Sequence, residues 1–411
     1  MSIKFENLDS ALKKLLSNVS FYPEIEEVEP LNSYKRVLAE DLISPIDLPI
    51  RDISHVDGFA IRAEDTKGAS KERSISLKIK GKVWAGEFPS FTIKKGEAAK
   101  VFTGAYIPDG ADSMVMLEEV IQRDGKILIS REVKRGEEVI LKGSDFKKGS
   151  LILEKGSFIK AQHIGMLMNF GIKRIKVFRR PKIAIMPVGS ELSDNLEDFE
   201  KGKIIDSHSW IIAKLIEENG GEAIHMGIVE DDLNNIHKKL KEGLKYDMIM
   251  TIGGSSLGEK DLVHKAINSI GKPGVLVHGL KLQPGRVAGF GVVDGKPIFI
   301  LPGLIQSTIN SFIFLAYPCL QYYFNREPKS YSIRVKAQLE EDLKFKRYRD
   351  FKKVSWVKLN YREGNYYAKP IFGMSPMTHV IGRADGYVLI EAYIEEVKRG
   401  EEVFVNLIDG L

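Results

Sequence analysis

From Lys182 onward the chain alternates apolar strands with amphipathic helices, and no other feature constrains the fold as tightly. Ile183-Ala184-Ile185-Met186 is a continuous apolar strand, and Ser207–Asn219 reads as a helix with Gly220-Gly221 just past its end. Ala223–Val229 follows as a strand, Leu233–Leu244 as a helix, and Asp247–Ile252 as a buried strand ending in Gly253-Gly254. A helix near Asp261–Ile267 precedes strands at Val275–Leu280, Ala288–Val293 and Pro297–Leu301, and a last helix starts after Gly303. Strands and helices at this spacing predict a parallel, doubly wound sheet. Such a sheet presents its ligand site at the carboxyl ends of the strands, where the strand order reverses.

The remainder reads differently. Asp9 can cap a first helix with Leu12, Leu15 and Leu16 on one face, and a second helix is predicted near Ser33–Ala39. Ser76–Lys80, Ala98–Thr103, Ser113–Leu117 and Lys126–Ser130 carry strand patterns, with Asp124-Gly125 as a hairpin signal, so this stretch is a small all-β unit. Glycines punctuate residues 143–178, where His163–Phe170 predicts a short helix. Tyr331–Ala337, Val354–Leu359, Tyr366–Pro370, Tyr387–Glu391 and Val403–Leu407 return to strand and fit a small barrel or sandwich. The fold class is therefore α/β plus β: an elongated multidomain subunit with a doubly wound α/β domain, an inserted β unit and a C-terminal β-barrel.

Charge and cysteine content exclude several functions. Among 411 residues, 61 Lys and Arg stand against 56 Asp and Glu, a net charge of +5 spread along the chain, which argues against a nucleic-acid binder. Cys319 is the sole cysteine, so an internal disulfide framework and any cysteine-cluster metal site are excluded. The uncharged run Pro297–Asn325 is interrupted by Pro302-Gly303, Gln306, Thr308, Asn310 and Pro318, and its helical part is shorter than the ~20 residues of a membrane span. The charged N-terminus lacks signal-peptide character, so a cytoplasmic location away from membranes is expected.

Several loops of the predicted sheet carry chemistry. Gly253 and Gly254 open a run through Ser256, Gly258 and Asp261 between a strand and a helix, where backbone N–H groups attract an anion and Asp261 is placed for a hard cation. The plain alternative is a tight turn with a solvated Asp. Asp231 and Asp232 follow a second strand as helix cap or Mg²⁺ ligand, and Glu191 closes the first strand. Lys281 and Arg286 flank Pro284-Gly285 and could hold a phosphate or an oxyanion such as molybdate; otherwise this is a surface loop. Pro302, Gly303 and Ser307 end another strand. In the β unit, Asp57, Thr103 and Asp145 stand in motifs that read individually as turns. His55, His163, His208, His225 and His264 lack metal-ligand spacing and read as structural.

Taken in order, these motifs resemble the molybdopterin molybdenumtransferase family, which includes the C-terminal domain of gephyrin. Ser54…Asp57-Gly58-Phe59-Ala60, Thr103-Gly104-Ala105…Pro108…Gly110-Ala111-Asp112 and Gly143-Ser144-Asp145 match its first half. Arg180-Pro181-Lys182, Gly189-Ser190-Glu191-Leu192, Gly202-Lys203-Ile204…Asp206-Ser207, Asp231-Asp232, Gly253-Gly254…Ser256…Gly258-Glu259…Asp261, Pro284-Gly285 and Leu301-Pro302-Gly303 continue the match. The resemblance implies a dimeric enzyme that uses adenylylated molybdopterin, molybdate (or tungstate) and Mg²⁺, releases AMP and leaves the metal on the pterin dithiolene. It implies a segmented domain of residues 1–44 and 143–178, an inserted β domain of 45–142, an α/β domain of 179–325 and a barrel of 326–411. It places Mg²⁺ and phosphates at Glu191, Asp231 or Asp232, and Asp261. It gives Gly253, Gly254, Ser256 and Gly258 to the nucleotide phosphate, Pro284, Gly285, Pro302, Gly303 and Ser307 to the cofactor, and Lys281 and Arg286 to the oxyanion. Asp57, Thr103 and Asp145 match positions that, in the family's dimer, line the cleft across from the partner's α/β domain.

The chain departs from the family pattern at His55, Ser255, Gln283, Val287, Leu304 and Ile305, and Arg286 replaces a Lys. Most departures surround the expected molybdate and pterin contacts, where one lost charge-assisted hydrogen bond is worth ~1.5–3 kcal/mol. Two alternatives follow: a tungstate-inserting paralogue, or a non-catalytic paralogue that binds pterin or nucleotide. A molybdopterin adenylyltransferase shares the α/β domain but does not account for the long domains on either side.

Overall fold

A computed structural model describes residues 4–254, 261–329 and 333–408, and the chain divides into two compact units. The larger unit comprises residues up to 39, residues 158–160 and residues from 175 onward; the smaller comprises residues 40–157 and 161–174.

The larger unit is built on a six-stranded sheet. Its strands are β1 (Lys182–Val188), β2 (Glu222–His225), β3 (Met248–Gly253), β4 (Pro273–His278), β5 (Gly289–Val293) and β6 (Lys296–Leu301), in spatial order β2-β1-β3-β6-β5-β4. Helices α1 (His208–Glu218), α2 (Leu233–Gly243) and α3 (Leu262–Ile270) connect them. Alternate residues of the central strands point to opposite faces. Ile183, Ile185, Met248, Met250, Ile252, Phe299 and Leu301 pack with α1, the N-terminal helix Leu8–Leu16 and the segment Ile305–Tyr323. Ala184, Met186, Ile249, Ile298 and Ile300 pack with α2 and α3 on the other face. Two covered faces explain the unbroken apolar runs read in the sequence.

The sheet is not wholly parallel. β1 pairs parallel with β2 and β3, and β3 with β6, but β5 runs antiparallel to both β6 and β4. The cause is a two-residue hairpin between β5 and β6: Asp294 and Gly295 have φ of 51° and 76°, the left-handed pair of a type I′ turn. The N-terminal segment also differs from expectation. The helix Leu8–Leu16 is flanked by Asn7, with Asp9 inside its first turn. In place of a second helix, Pro30–Ser33 form a 3₁₀ turn, and Val37 and Leu38 make β-bridges to Phe158 and Val177. The apolar run Val37-Leu38-Ala39 is buried as extended chain, a tertiary override of its helical pattern.

Five strands of the C-terminal region, Arg334–Leu339, Lys352–Arg362, Asn365–Pro370, Gly386–Ile390 and Glu402–Leu407, close into a barrel. Closure comes from pairing of Lys352–Arg362 with both Asn365–Pro370 and Gly386–Ile390. The short strand Leu282–Gln283, from the loop between β4 and β5, adds parallel to Lys352–Lys353 at the barrel's edge. Val354, Trp356 and Tyr387 of the barrel belong to the same core as the α/β sheet. The uncharged segment Ile305–Tyr323 is helical with a π-turn at Phe312–Ala316 and is buried in that core. Among the described residues no helix is long and apolar enough to cross a membrane.

The smaller unit holds a six-stranded sheet in which Gly58–Ile61 lies between Ser113–Met116 and Glu97–Val101, followed by Ile75–Val83, Lys126–Ile129 and Val120–Arg123. The Asp124-Gly125 turn joins the last two strands in sequence, as predicted. Residues 161–169 form the short helix expected near His163.

The hairpin at Gly295 gives a direct test of what sets the sheet's antiparallel half. A Cβ there would sit 3.1 Å from that of Ser20 on a backbone with φ of 76°. Gly295→Ala is expected to cost about 1–2 kcal/mol, the penalty for a left-handed L-residue, read as a lower urea midpoint at unchanged slope.

Candidate active site at the carboxyl edge of the α/β sheet

The strand order reverses between β1 and β3, since the chain leaves β1 for β2 on one side and returns to β3 on the other. The carboxyl ends of β1, β3 and β6 therefore open one crevice. Glycine is required there. Gly253 and Gly254 have φ of 84° and 63°, and a Cβ on either would meet Val188 at 2.6 Å or 2.5 Å. Gly303, after β6, lies against Gly253 at 3.5 Å from its would-be Cβ. Ser256 and Gly258 lie outside the described residues.

Three acidic loops meet this edge in different states. After β1, the N–H of Ser190 donates to Asp231 Oδ2 at 3.3 Å, and the N–H of Asp231 donates to Ser190 Oγ at 3.2 Å. The carboxylate of Glu191 folds over Gly189, where a Cβ would come within 2.7 Å of it. Asp232 is spent on the fold: its Oδ1 accepts the N–H groups of Asn234 and Asn235 at 2.9 Å and caps α2. Asp261 caps α3 through Oδ1, which accepts the N–H of His264 at 2.9 Å. Asp261 is buried, and its Oδ2 lies 2.9 Å from His278 Nε2 but off the line of a hydrogen bond, so neither atom has an aligned partner among the described residues. The ring of His264 packs on His278 at 4.8 Å, and burial together with His278 lowers the pKa of His264.

Where the α/β domain meets the barrel there is a cleft of about 810 Å³. Gln283, Pro284, Gly285, Arg286, Pro302, Gly303 and Ser307 line it from the sheet side. Lys344, Lys346, Arg347, Tyr348, Lys353 and Ser375 line it from the barrel. No Asp or Glu is among the described lining residues. Arg286 donates to the Tyr348 hydroxyl and lies over the ring, with 5.2 Å between guanidinium and centroid. Asn310 fixes the sheet-side wall by donating to the carbonyl of Pro284 at 2.8 Å. Lys346 and Arg347 make no ion pair among the described residues, while Lys344 is held by Glu396 and Asp342. Lys353 is buried, and its ammonium donates to the carbonyls of Phe351, Arg349 and Ile394 at 3.1–3.4 Å. Burial lowers its pKa.

Lys281 differs from its expectation. Its Nζ pairs with Asp350 Oδ2 at 2.8 Å, which raises its pKa, and it does not line the cleft. The side chain clamps the barrel loop to the α/β domain. In the smaller unit, Asp57 Oδ1 accepts both the N–H and the hydroxyl of Thr103 at 2.8 Å, which holds its carboxyl below the usual range. Asp145 is exposed, with its N–H on the carbonyl of Leu48. His55, read as structural, pairs with Glu138 at 2.7 Å.

The sequence reading missed the barrel's share of the cleft. The signal was present, since Lys344, Lys346, Arg347, Arg349, Lys352 and Lys353 crowd one segment. His278 gave no sequence signal, because its role depends on a contact to Asp261 across two connections.

Comparison with known proteins matches three successive stretches of the chain. Residues 6–171 match the family described as MoeA N-terminal region (domain I and II). Residues 184–322 match "Probable molybdopterin binding domain", and residues 336–408 match MoeA C-terminal region (domain IV). A molybdopterin molybdenumtransferase of Staphylococcus aureus (strain COL) is 31% identical over 81% of this chain and 79% of its own. A crystal structure of the molybdopterin biosynthesis MoeA protein from Pyrococcus horikoshii OT3 superposes with a TM-score of 0.83 at 30% identity, covering 98% of this chain and all (100%) of that one. Another structure of a MoeA protein from that genus and species gives a TM-score of 0.81 at 35% identity over 99% and 100%. The resemblance carried by the crevice motifs is thus met across the whole chain, which belongs to the MoeA family of molybdopterin molybdenumtransferases.

Proposed function

We propose that the chain inserts molybdenum, delivered as molybdate, into adenylylated molybdopterin and releases AMP. The observation that carries this reading is the 810 Å³ cleft lined by Arg286, Lys344, Lys346, Arg347 and Lys353 with no carboxylate among its described walls. A tetrahedral dianion is stabilised there by charge-assisted hydrogen bonds, and the cleft adjoins the crevice where β3 and β6 end. The metal's sulfur ligands come from the substrate: Cys319 is fully buried, and burial pushes its thiol far up, so the protein offers no thiolate.

Mg²⁺ belongs to the same proposal. It binds through one or two carboxylates plus substrate phosphates, and among the described residues no cluster of three acidic or histidine ligands is preformed. The donor set fits that mode. Glu191 and Asp231 lie on neighbouring loops, and buried Asp261 has an oxygen without an aligned partner among the described residues. Glu191, Asp231 and Asp261 would hold the ion, which would neutralise the phosphates as AMP leaves. Gly253 and Gly254 present backbone where a phosphate approaches, and Arg286, Lys346 and Arg347 orient the oxyanion. Asp57, Thr103 and Asp145 complete the proposed catalytic set, the subunit acts as a homodimer in the cytoplasm, and its domains divide at about residues 44, 142, 178 and 325. Neutral Gln283 in the cleft wall favours one second reading, a protein tuned to tungstate or to binding alone.

The deciding experiment supplies adenylylated molybdopterin and Mg²⁺ with molybdate or tungstate in turn and measures AMP. Release with one oxyanion names the metal; bound nucleotide without release identifies a binder. Arg347→Ala is expected to raise the molybdate concentration for half-maximal release roughly 10-fold to 100-fold, as loss of one charged hydrogen bond of about 1.5–3 kcal/mol requires. The neighbouring aspartates should separate cleanly. Asp232→Ala should lower stability by about 1 kcal/mol through loss of the α2 cap while AMP release persists. Asp231→Asn should keep the melting temperature and raise the Mg²⁺ requirement; the reverse pattern would exchange their roles.

A further inference from the structure

On the sheet of the smaller unit, Lys82 and Lys100 are direct neighbours across the parallel ladder between Ile75–Val83 and Glu97–Val101. Like charges in that position repel, and neither ammonium has a carboxylate within ion-pair distance among the described residues. Immediately beyond them, Trp84 and Phe102 stack face to face, with centroids 4.1 Å apart and planes within 3°. Trp84 remains 52% exposed although one face is covered, so its other face is open to solvent. Lys100 also lies 5.7 Å from the Phe102 ring. The loop that carries Trp84 is fixed by a second parallel stack, Phe88 on Tyr106 at 4.8 Å. Thr103, which anchors Asp57, follows Phe102 directly.

An open indole face beside two ammonium groups that make no ion pair among the described residues, one of them (Lys100) acting on Asp57 from a distance, fits one ligand chemistry. We infer that Lys82, Trp84, Lys100 and Phe102 form a subsite for a planar heteroaromatic ring that carries a phosphate. The ring stacks on Trp84, and the phosphate lies between the two ammonium groups. Stacking on an exposed aromatic face and charge-assisted phosphate contacts are each sequence-independent recognition devices for such molecules. The identity of the ring rests on the proposed function, which offers an adenylate and a phosphorylated pterin.

Trp84 is its own reporter. Trp356 is buried, so in a Trp210→Phe background the emission of the exposed indole is that of Trp84. The full-length protein is titrated with AMP and, separately, with neopterin monophosphate; adenosine, neopterin and inorganic phosphate serve as controls. Saturable quenching by one of the two phosphates, at least 10-fold tighter than by its control, supports the subsite and names the ring. Lys82→Gln and Lys100→Gln should each weaken that binding about 10-fold, measured also by calorimetry, and Trp84→Leu should abolish it while Trp84→Phe restores most of it. Equal quenching by the unphosphorylated compounds, or calorimetric affinity unchanged in Trp84→Leu and Lys100→Gln, overturns the inference. So does light scattering in which Trp84→Leu halves the mass, because the ring would then cover another copy of the chain. AMP release measured on the same samples keeps the two readings apart. Turnover without a Trp84 response removes the subsite alone, and a Trp84 response without turnover removes the transferase alone.

Discussion

A Cβ at position 253 would lie 2.6 Å from the carbonyl oxygen of Val188, and the crevice depends on that close approach. β1 and β3 can end side by side only because the chain turns through left-handed glycines at once. Those two ends mark the point where the winding of the sheet reverses. The Glu191 loop leaves from one and the loop toward Asp261 from the other. Gly303, at the end of β6, is held against the same backbone. A larger residue at Gly253 would separate the strands and with them the acidic loops. The geometry of this edge is thus set by backbone contact in the sheet before any polar side chain acts.

The polar groups divide by what the fold already asks of them. A helix N-terminus leaves N–H groups without partners, and Asp232 and Asp261 both answer that need. For Asp232 the cap takes one oxygen at an exposed site, and nothing further marks it. Asp261 is different because it is buried and its second oxygen, facing His278, has no aligned hydrogen bond among the described residues. An unsatisfied buried carboxylate oxygen is costly, and such a cost persists where the atom has another use. Among the cations the same division holds. Lys281 is paired with Asp350 and fastens the barrel loop, whereas Lys346 and Arg347, carried by that loop, line the cleft and make no ion pair among the described residues.

The α/β domain was legible because periodicity reports burial. Strands covered on both faces must be almost wholly apolar, as Ile183–Met186 is and as Met248–Ile252 is but for Thr251, whose hydroxyl donates to the carbonyl of Phe299. Direction was not legible from that pattern. A fully buried antiparallel strand is as apolar as a parallel one, and only the Asp294-Gly295 turn distinguishes Gly289–Val293. The Val37–Ala39 segment misled for a related reason: a short apolar run satisfies helix and strand equally, and pairing with Phe158 and Val177 decided the matter. Motif spacing located the crevice, but spacing is local. The cleft needs residues near 285, 303 and 347 together, and the register of Leu282–Gln283 against Lys352–Lys353 is a tertiary fact.

That register also bears on the neutral residue before Pro284. Gln283 lies directly beside Lys353 in the parallel pair, and both line the cleft. Position 283 contributes no charge, yet an ammonium stands on the adjacent strand at the same level. Its ammonium donates to carbonyls of the barrel loops, and the carboxylates of Asp350 and Glu395 act on it electrostatically without an ion pair to it among the described residues. A buried cation of this kind is stabilised further by an anion that enters its surroundings. The wall of the cleft is therefore electropositive through the barrel strand where the α/β loop is neutral, and an oxyanion bound there would join the two domains through charge as well as through their shared core.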